Sequence, residues 1–166
     1  LFFGYASFSL ANEEFESFYD ELIYTFLDNE EAILDFSSDK FCDMSPKAQL
    51  RNGLFFLPNT EEPYSGENLC IYQKNGQYFN QGSIKNGLRE GKWVYWFENG
   101  QKQFELDVIN NDVNGIVTMW LENGHKFGET SVKDNKLDGK LIAWHLNGQK
   151  AGESNYINDK RDGKEF

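Results

Sequence analysis

Two hydrophobic periods divide the chain. Between Phe15 and Leu27 the apolar residues Phe15, Phe18, Tyr19, Leu22, Ile23, Phe26 and Leu27 recur at steps of three and four, one stripe of an amphipathic helix. Asn12 stands where an N-cap belongs and Asp28-Asn29 where the helix would break, while Glu13, Glu14 and Glu16 gather near its positive start. "NEEAILDF" reads as a short second helix, and residues 12–47 are expected to form an acidic amphipathic helical cap. After that the period becomes two. "AQLRNGLFFL" predicts a small lead-in hairpin within 48–62, turning at Asn52-Gly53, with a helical turn opened by Ser45-Pro46 as the alternative.

From residue 63 onward the alternation is punctuated at a fixed interval. The pairs Asn75-Gly76, Asn99-Gly100, Asn123-Gly124 and Asn147-Gly148 lie 24 residues apart, and so do Gly91, Gly115, Gly139 and Gly163. Two series that keep one period mark a repeat array. Gly66 is the counterpart one repeat earlier, displaced by one extra residue, which suggests a bulge or an irregular first strand. Asn-Gly is the preferred two-residue loop of a type I′ hairpin. Counting outward from Asn99-Gly100 pairs Phe97 with Lys102, Tyr95 with Phe104 and Trp93 with Leu106 on one face. It puts Val94, Trp96 and Glu98 opposite Glu105, Gln103 and Gln101 on the other. The same count places Tyr72, Phe79, Trp96, Trp120, Phe127 and Trp144 at equivalent positions, an aromatic ladder across the sheet. Between hairpins lie the polar returns "NNDVNG", "KDNKLDG" and "NDKRDG". The expected fold is mainly β: an elongated single-layer antiparallel meander of 24-residue hairpin repeats over 63–166, the last one truncated, with a short N-terminal α-helical cap that shields its end.

The phrase "GKWVYWFENGQK", followed by an Asp-Gly return, resembles the MORN-variant repeat, the group that includes the YwqK-type antitoxin proteins. The resemblance covers residues 63–166, and "RNGLFFLPNTEEPYSG" is similar to the lead-in that opens such arrays. Val117 and Leu141 depart from the pattern where the first Trp would stand, and Phe127-Gly128 and Ala151-Gly152 thin the return strand. The resemblance implies a bacterial β-hairpin repeat protein and, through the family label, an antitoxin or immunity-type partner that neutralises a toxin. It implies no cofactor.

Charge and composition narrow the function classes. Net charge is −11, and residues 1–60 hold 11 acids against 3 bases. Such a balance opposes phosphate neutralisation, so no nucleic-acid partner is expected. The opening stretch "LFFGYASFSLA", residues 1–11, resembles the remnant of a secretory signal peptide cut before Asn12. Its plainer readings are an apolar terminus or the first turn of a buried helix. Export to periplasm, envelope or medium is expected on the first reading, and a cytoplasmic location if the stretch is no leader. Cys42 and Cys70 fit no metal spacing. They could pair in an oxidising compartment or stay free thiols in a reducing one.

Candidate chemistry is sparse. His125 follows a turn where other copies carry Gln, and His145 follows Trp144; neither has the partners of a metal or catalytic site. "DNKLDGK" alternates acids and amides as calcium loops do, but Asn and Asp are ordinary turn residues and no distal Glu follows in EF-hand register. Lys102, Lys126 and Lys150 recur in one register and could attract anionic lipid, yet Glu105, Glu129 and Glu153 recur beside them, so charge matching is expected instead of membrane binding. No catalytic, cofactor or metal residue is assigned. The expectation is a non-enzymatic protein-interaction scaffold whose partner meets the aromatic ladder. Self-association through the terminal strand is a further expected contact. An envelope structural or membrane-associated module is the other alternative.

Overall fold

The structure is a computed structural model that describes residues 40–42 and 49–163. The stretch 1–11 expected to be a leader remnant, the helix expected between Asn12 and Asp28 and the short helix expected at "NEEAILDF" lie outside the described residues. Two sheets form. Gln49–Arg51 (β2) and Leu54–Phe56 (β3) make a two-stranded ribbon. All other strands join one antiparallel sheet of 11 strands. In chain order they are Lys40–Cys42 (β1), Gly66–Tyr72 (β4), Tyr78–Lys85 (β5), Leu88–Trp96 (β6), Lys102–Ile109 (β7), Asp112–Val113 (β8), Gly115–Trp120 (β9), Lys126–Lys133 (β10), Lys136–Trp144 (β11), Lys150–Ile157 (β12) and Lys160–Asp162 (β13). From β4 onward the strands pair in chain order as a meander, except that β8 and β9 both pair β7 and not each other. Among the described residues there is no helix, and Lys40–Cys42, which falls within the helical cap expected over 12–47, is a strand on the outer edge of β4.

The lead-in hairpin turns at Asn52-Gly53 as expected, with Arg51 opposite Leu54. It docks on the sheet through backbone bonds: Phe55 N–H to the Gly87 carbonyl at 2.9 Å, and Tyr64 N–H to the Phe55 carbonyl at 2.8 Å. Phe55 is thereby buried to 1% exposure and closes one end of the core.

The turns exchange roles. The four Asn-Gly pairs spaced 24 residues apart do not form two-residue type I′ loops, because that turn needs positive φ at both residues. Gly100 has φ +84°, but Asn75, Asn99, Asn123 and Asn147 are not among the residues with positive φ. Each of the last three loops instead closes with the glycine N–H on the carbonyl three residues back, as in Gly100 to Phe97 at 2.9 Å, and Phe97 N–H bonds the Gln101 carbonyl at 2.8 Å. This is a three-residue loop with glycine in the left-handed position. The asparagine contributes its side chain: Oδ1 of Asn75, Asn99, Asn123 and Asn147 accepts from the N–H two residues on, at 2.9 to 3.1 Å. Two-residue type I′ turns lie instead at Asn52-Gly53, at Asn86-Gly87 and in the polar returns. Asn110-Asn111, Asp134-Asn135 and Asn158-Asp159 all have positive φ, between 48° and 75°. Their flanks pair directly, Ile109 with Asp112, Lys133 with Lys136 and Ile157 with Lys160.

The longer tip loop changes the register. Tyr95 opposes Phe104, Trp93 opposes Leu106 and Val94 opposes Glu105, as the count predicts, but Trp96 opposes Lys102 instead of Gln103. Phe97 has left the strand, so its expected pairing with Lys102 fails too. One residue, Gln103, is bulged out between the two registers. The bulge recurs at Phe79, Phe127 and Ala151, one per return strand. The extra residue of the first repeat lies in its tip loop, where Gly76 N–H reaches the Tyr72 carbonyl four residues back. Thus the first strand itself is regular.

Alternation within the strands places the core on one face. Trp93, Tyr95, Phe104, Leu106, Val108, Val113, Val117, Met119, Val132, Leu137, Leu141 and Tyr156 are all buried there. Each large side chain so buried contributes about 1.5–3 kcal/mol. Trp93 lies flat on Gly82, where an added Cβ would come within 2.2 Å of the indole. No larger residue fits there without moving the ring.

Candidate interaction face

The outer face is built by the bulges. In a regular strand, residues three apart point to opposite sides. The bulge at Gln103 cancels one step, so Lys102 and Glu105 share the face opposite the core and their charges meet at 2.6 Å. Lys126 and Glu129 pair at 2.5 Å across the Phe127 bulge, and Lys150 and Glu153 pair across the Ala151 bulge. Counting by twos put these lysines on the core side; the inserted residue returns them to solvent.

The indoles alternate with these lysines. Register sets Trp96 beside Lys102, Trp120 beside Lys126 and Trp144 beside Lys150. Lys102 and Lys126 also lean toward the next repeat: Lys102 Nζ lies 5.5 Å from the Trp120 ring centroid and Lys126 Nζ 4.4 Å from that of Trp144. Tyr78 takes the lysine's place in the first repeat, with its ring edge-on to Trp96 at 5.6 Å. It is 49% exposed. All three tryptophans are half-buried. The result is one row, crossing the sheet from β5 to β12, of aromatic rings separated by ammonium groups already matched by carboxylates.

The six-residue ladder expected from the sequence therefore divides. Trp96, Trp120 and Trp144 line this face. Phe79 and Phe127 occupy bulge positions and turn toward the core, Phe79 being buried and Phe127 packed against it. Tyr72 also belongs to the core side: its ring meets Phe79 at 5.4 Å, and its hydroxyl donates to the Trp96 carbonyl at 3.0 Å. The extra tip-loop residue makes Ile71, not Tyr72, the counterpart of Trp96. The parity change was hidden in the sequence because no residue type announces a bulge. The recurrent Lys-x-x-Glu spacing was the available signal.

Loop-to-loop bonds hold the row in register. Asn75 Nδ2 donates to the Glu98 carbonyl at 2.8 Å, and Asn99 Nδ2 to the Glu122 carbonyl at 2.7 Å. At the opposite edge, Asn111, Asn135 and Asp159 accept from the N–H groups of Arg89, Val113 and Leu137 at 2.6 to 2.7 Å. Asp134 and Asn135, the residues that hinted at an ion loop, are thus used in turn geometry and in this stitching. Both edges are zipped by side chain–backbone bonds between successive repeats.

Electrostatics follow the two faces. Glu105 is held below the usual carboxylate range, chiefly by its hydrogen bond from Lys102, with Lys92 assisting at 3.1 Å. On the core face, burial pushes the Tyr95 hydroxyl up to about 12, although the Arg89 guanidinium pulls the other way. Arg89 is itself buried, donates to the Asn111 carbonyl at 2.9 Å and stands over the Trp93 ring. His125 and His145 are exposed. Among the described residues no group of three His, Cys, Asp or Glu is placed to hold a metal ion. Cys70 is disulfide-bonded. No family model and no curated protein matches the chain.

Proposed function

We propose that the chain is a non-enzymatic protein-interaction scaffold, an elongated single-layer β-repeat of the MORN-variant kind, whose partner docks on the row formed by Trp96, Trp120 and Trp144. The observation that carries this reading is the half-exposure of those three indoles at one register position across β6, β9 and β11. Large aromatic side chains left partly in water are where a partner gains most on desolvation. The paired lysines keep the row soluble without presenting a net cationic field, which favours protein over anionic lipid as the partner. Action outside the reducing cytosol is part of the proposal, and the disulfide at Cys70 supports it.

The test replaces Trp96, Trp120 and Trp144 together by Ser in the full chain. Far-UV dichroism and melting are recorded beside capture of partners identified by mass spectrometry. A partner held by the wild type and by Lys133→Ser, but lost by the tryptophan variant while the fold is kept, is the expected result. Retention of every partner by a folded tryptophan variant would overturn the proposal. A captured toxin would identify the antitoxin form of the same activity.

A further inference from the structure

Trp96, Trp120 and Trp144 lie on β6, β9 and β11, with β7 between the first two and β10 between the last two. Neighbouring strands are about 4.7–4.9 Å apart, so successive indoles are set about 9.4–9.8 Å apart across the sheet. Two residues before each indole, on the same face, stands a smaller half-buried side chain: Val94, Thr118 or Ile142. In register these three oppose Glu105, Glu129 and Glu153. The outer face therefore alternates by strand, Trp with a small side chain and then Lys with Glu. Its apolar area comes in separate stations, one per repeat. Asn75 and Asn99 fix the spacing by tying one tip loop to the next.

That spacing discriminates among the regular shapes a polypeptide partner can take. A β-strand presents same-face residues about 6.6 Å apart and misses the middle ring. An α-helix returns to nearly the same face after seven residues, about 10.5 Å, and its continuous apolar stripe would also cover the Lys–Glu strands. A polyproline II helix has three residues per turn and returns to the same face every 9.3 Å or about that. Over the two intervals from Trp96 to Trp144 it drifts by no more than about 1 Å. Its hydrogen-bonding chemistry fits as well. Such a segment has no internal hydrogen bonds, so its carbonyls need donors, and its prolines have no N–H to offer. Each ammonium between the rings carries three N–H donors, and Lys102 and Lys126 each meet one carboxylate oxygen, on Glu105 and Glu129. Resting on the reading of this row as a docking face, we propose that its partner is a proline-rich segment in the polyproline II conformation. Every third side chain packs on an indole, and the two residues between cross a Lys–Glu pair with their carbonyls toward the ammonium. Both surfaces are ordered before they meet, which keeps the entropic cost of docking low.

The test titrates the full chain, isotopically labelled, with a peptide of three Leu-Pro-Pro triplets and follows the indole N–H signals by NMR. A control peptide has the same composition with its leucines adjacent. The signals of Trp96, Trp120 and Trp144 should shift while that of Trp93 stays, and the control should bind at least about tenfold more weakly. Trp120→Ser, which removes the middle station, should weaken the triplet peptide by at least about tenfold. Equal affinity for the two peptides, binding unaffected by Trp120→Ser, or no binding of either peptide would overturn the proposal. In the last case, capture of a protein partner that still depends on the three tryptophans would leave the docking face standing and remove only the polyproline class.

Discussion

Trp93 and Trp96 stand three residues apart on β6, and their surroundings are opposite. Trp93 is 1% exposed, lies flat on Gly82, stacks near Tyr95 at 6.3 Å and has a guanidinium over its ring. Trp96 is half in water, beside Lys102 and edge-on to Tyr78. The core face is continuous because its neighbours are apolar and packed from strand to strand. The outer face is a row of separate aromatic units, each bordered by a lysine–glutamate pair. Burial fixes the first tryptophan as part of the stability of the sheet. Half-exposure leaves the second with area that folding has not used.

Breaking this contrast should show a graded response. Trp93→Ala is expected to lower unfolding free energy by about 3–5 kcal/mol, because it removes the largest fully buried side chain among the described residues and leaves a cavity. Urea midpoints compared with those of Trp96→Ala check this, and equal losses at the two positions would erase the distinction between the faces.

Tyr95 gives the next effect. Below pH 10 the folded and unfolded chains both keep the phenolic proton. Between 10 and about 12 the unfolded chain ionises while buried Tyr95 resists, so stability falls as pH rises, by about 3 kcal/mol over a shift from 10.0 to about 12. Tyr95→Phe should lose that part of the alkaline slope. A slope unchanged by the substitution would place the hydroxyl in water.

The smallest effect belongs to the outer row. Lys126→Met removes the charge that meets Glu129 and the Trp144 ring but keeps the apolar stem. Exposed pairs of this kind contribute little, so the change in stability should stay within about 1 kcal/mol. A loss above that range, measured by the same urea midpoint, would show the row to be structural and weaken its assignment as a docking face.

Much of this was legible in the residues, for reasons that differ by element. The 24-residue period, the meander, the lead-in hairpin and the inward set Trp93, Tyr95, Phe104 and Leu106 follow from alternation and from where turn residues stand. Turn type was misread because Asn-Gly suits two geometries. Two-residue type I′ loops need positive φ at both residues, whereas here Asn99 uses its side chain to close the loop and only Gly100 takes the left-handed position. From that single difference came the bulge, the shifted partner of Trp96, and the return of Phe79 and Phe127 to the core side. The strand at Lys40–Cys42 was hidden by its helical-looking neighbourhood; its partner, Ile71, is distant in sequence.

By itself the sequence determined what each repeat must be: two alternating strands, two turns and one apolar side, because local backbone preference and period-two burial act within a few residues. Tertiary pairing decided which face a residue beyond a bulge would join, and which edge would be covered. Those outcomes depend on competition between hydrogen-bond registers of separate strands. The free energy of such a choice lies in the pair and in neither segment alone.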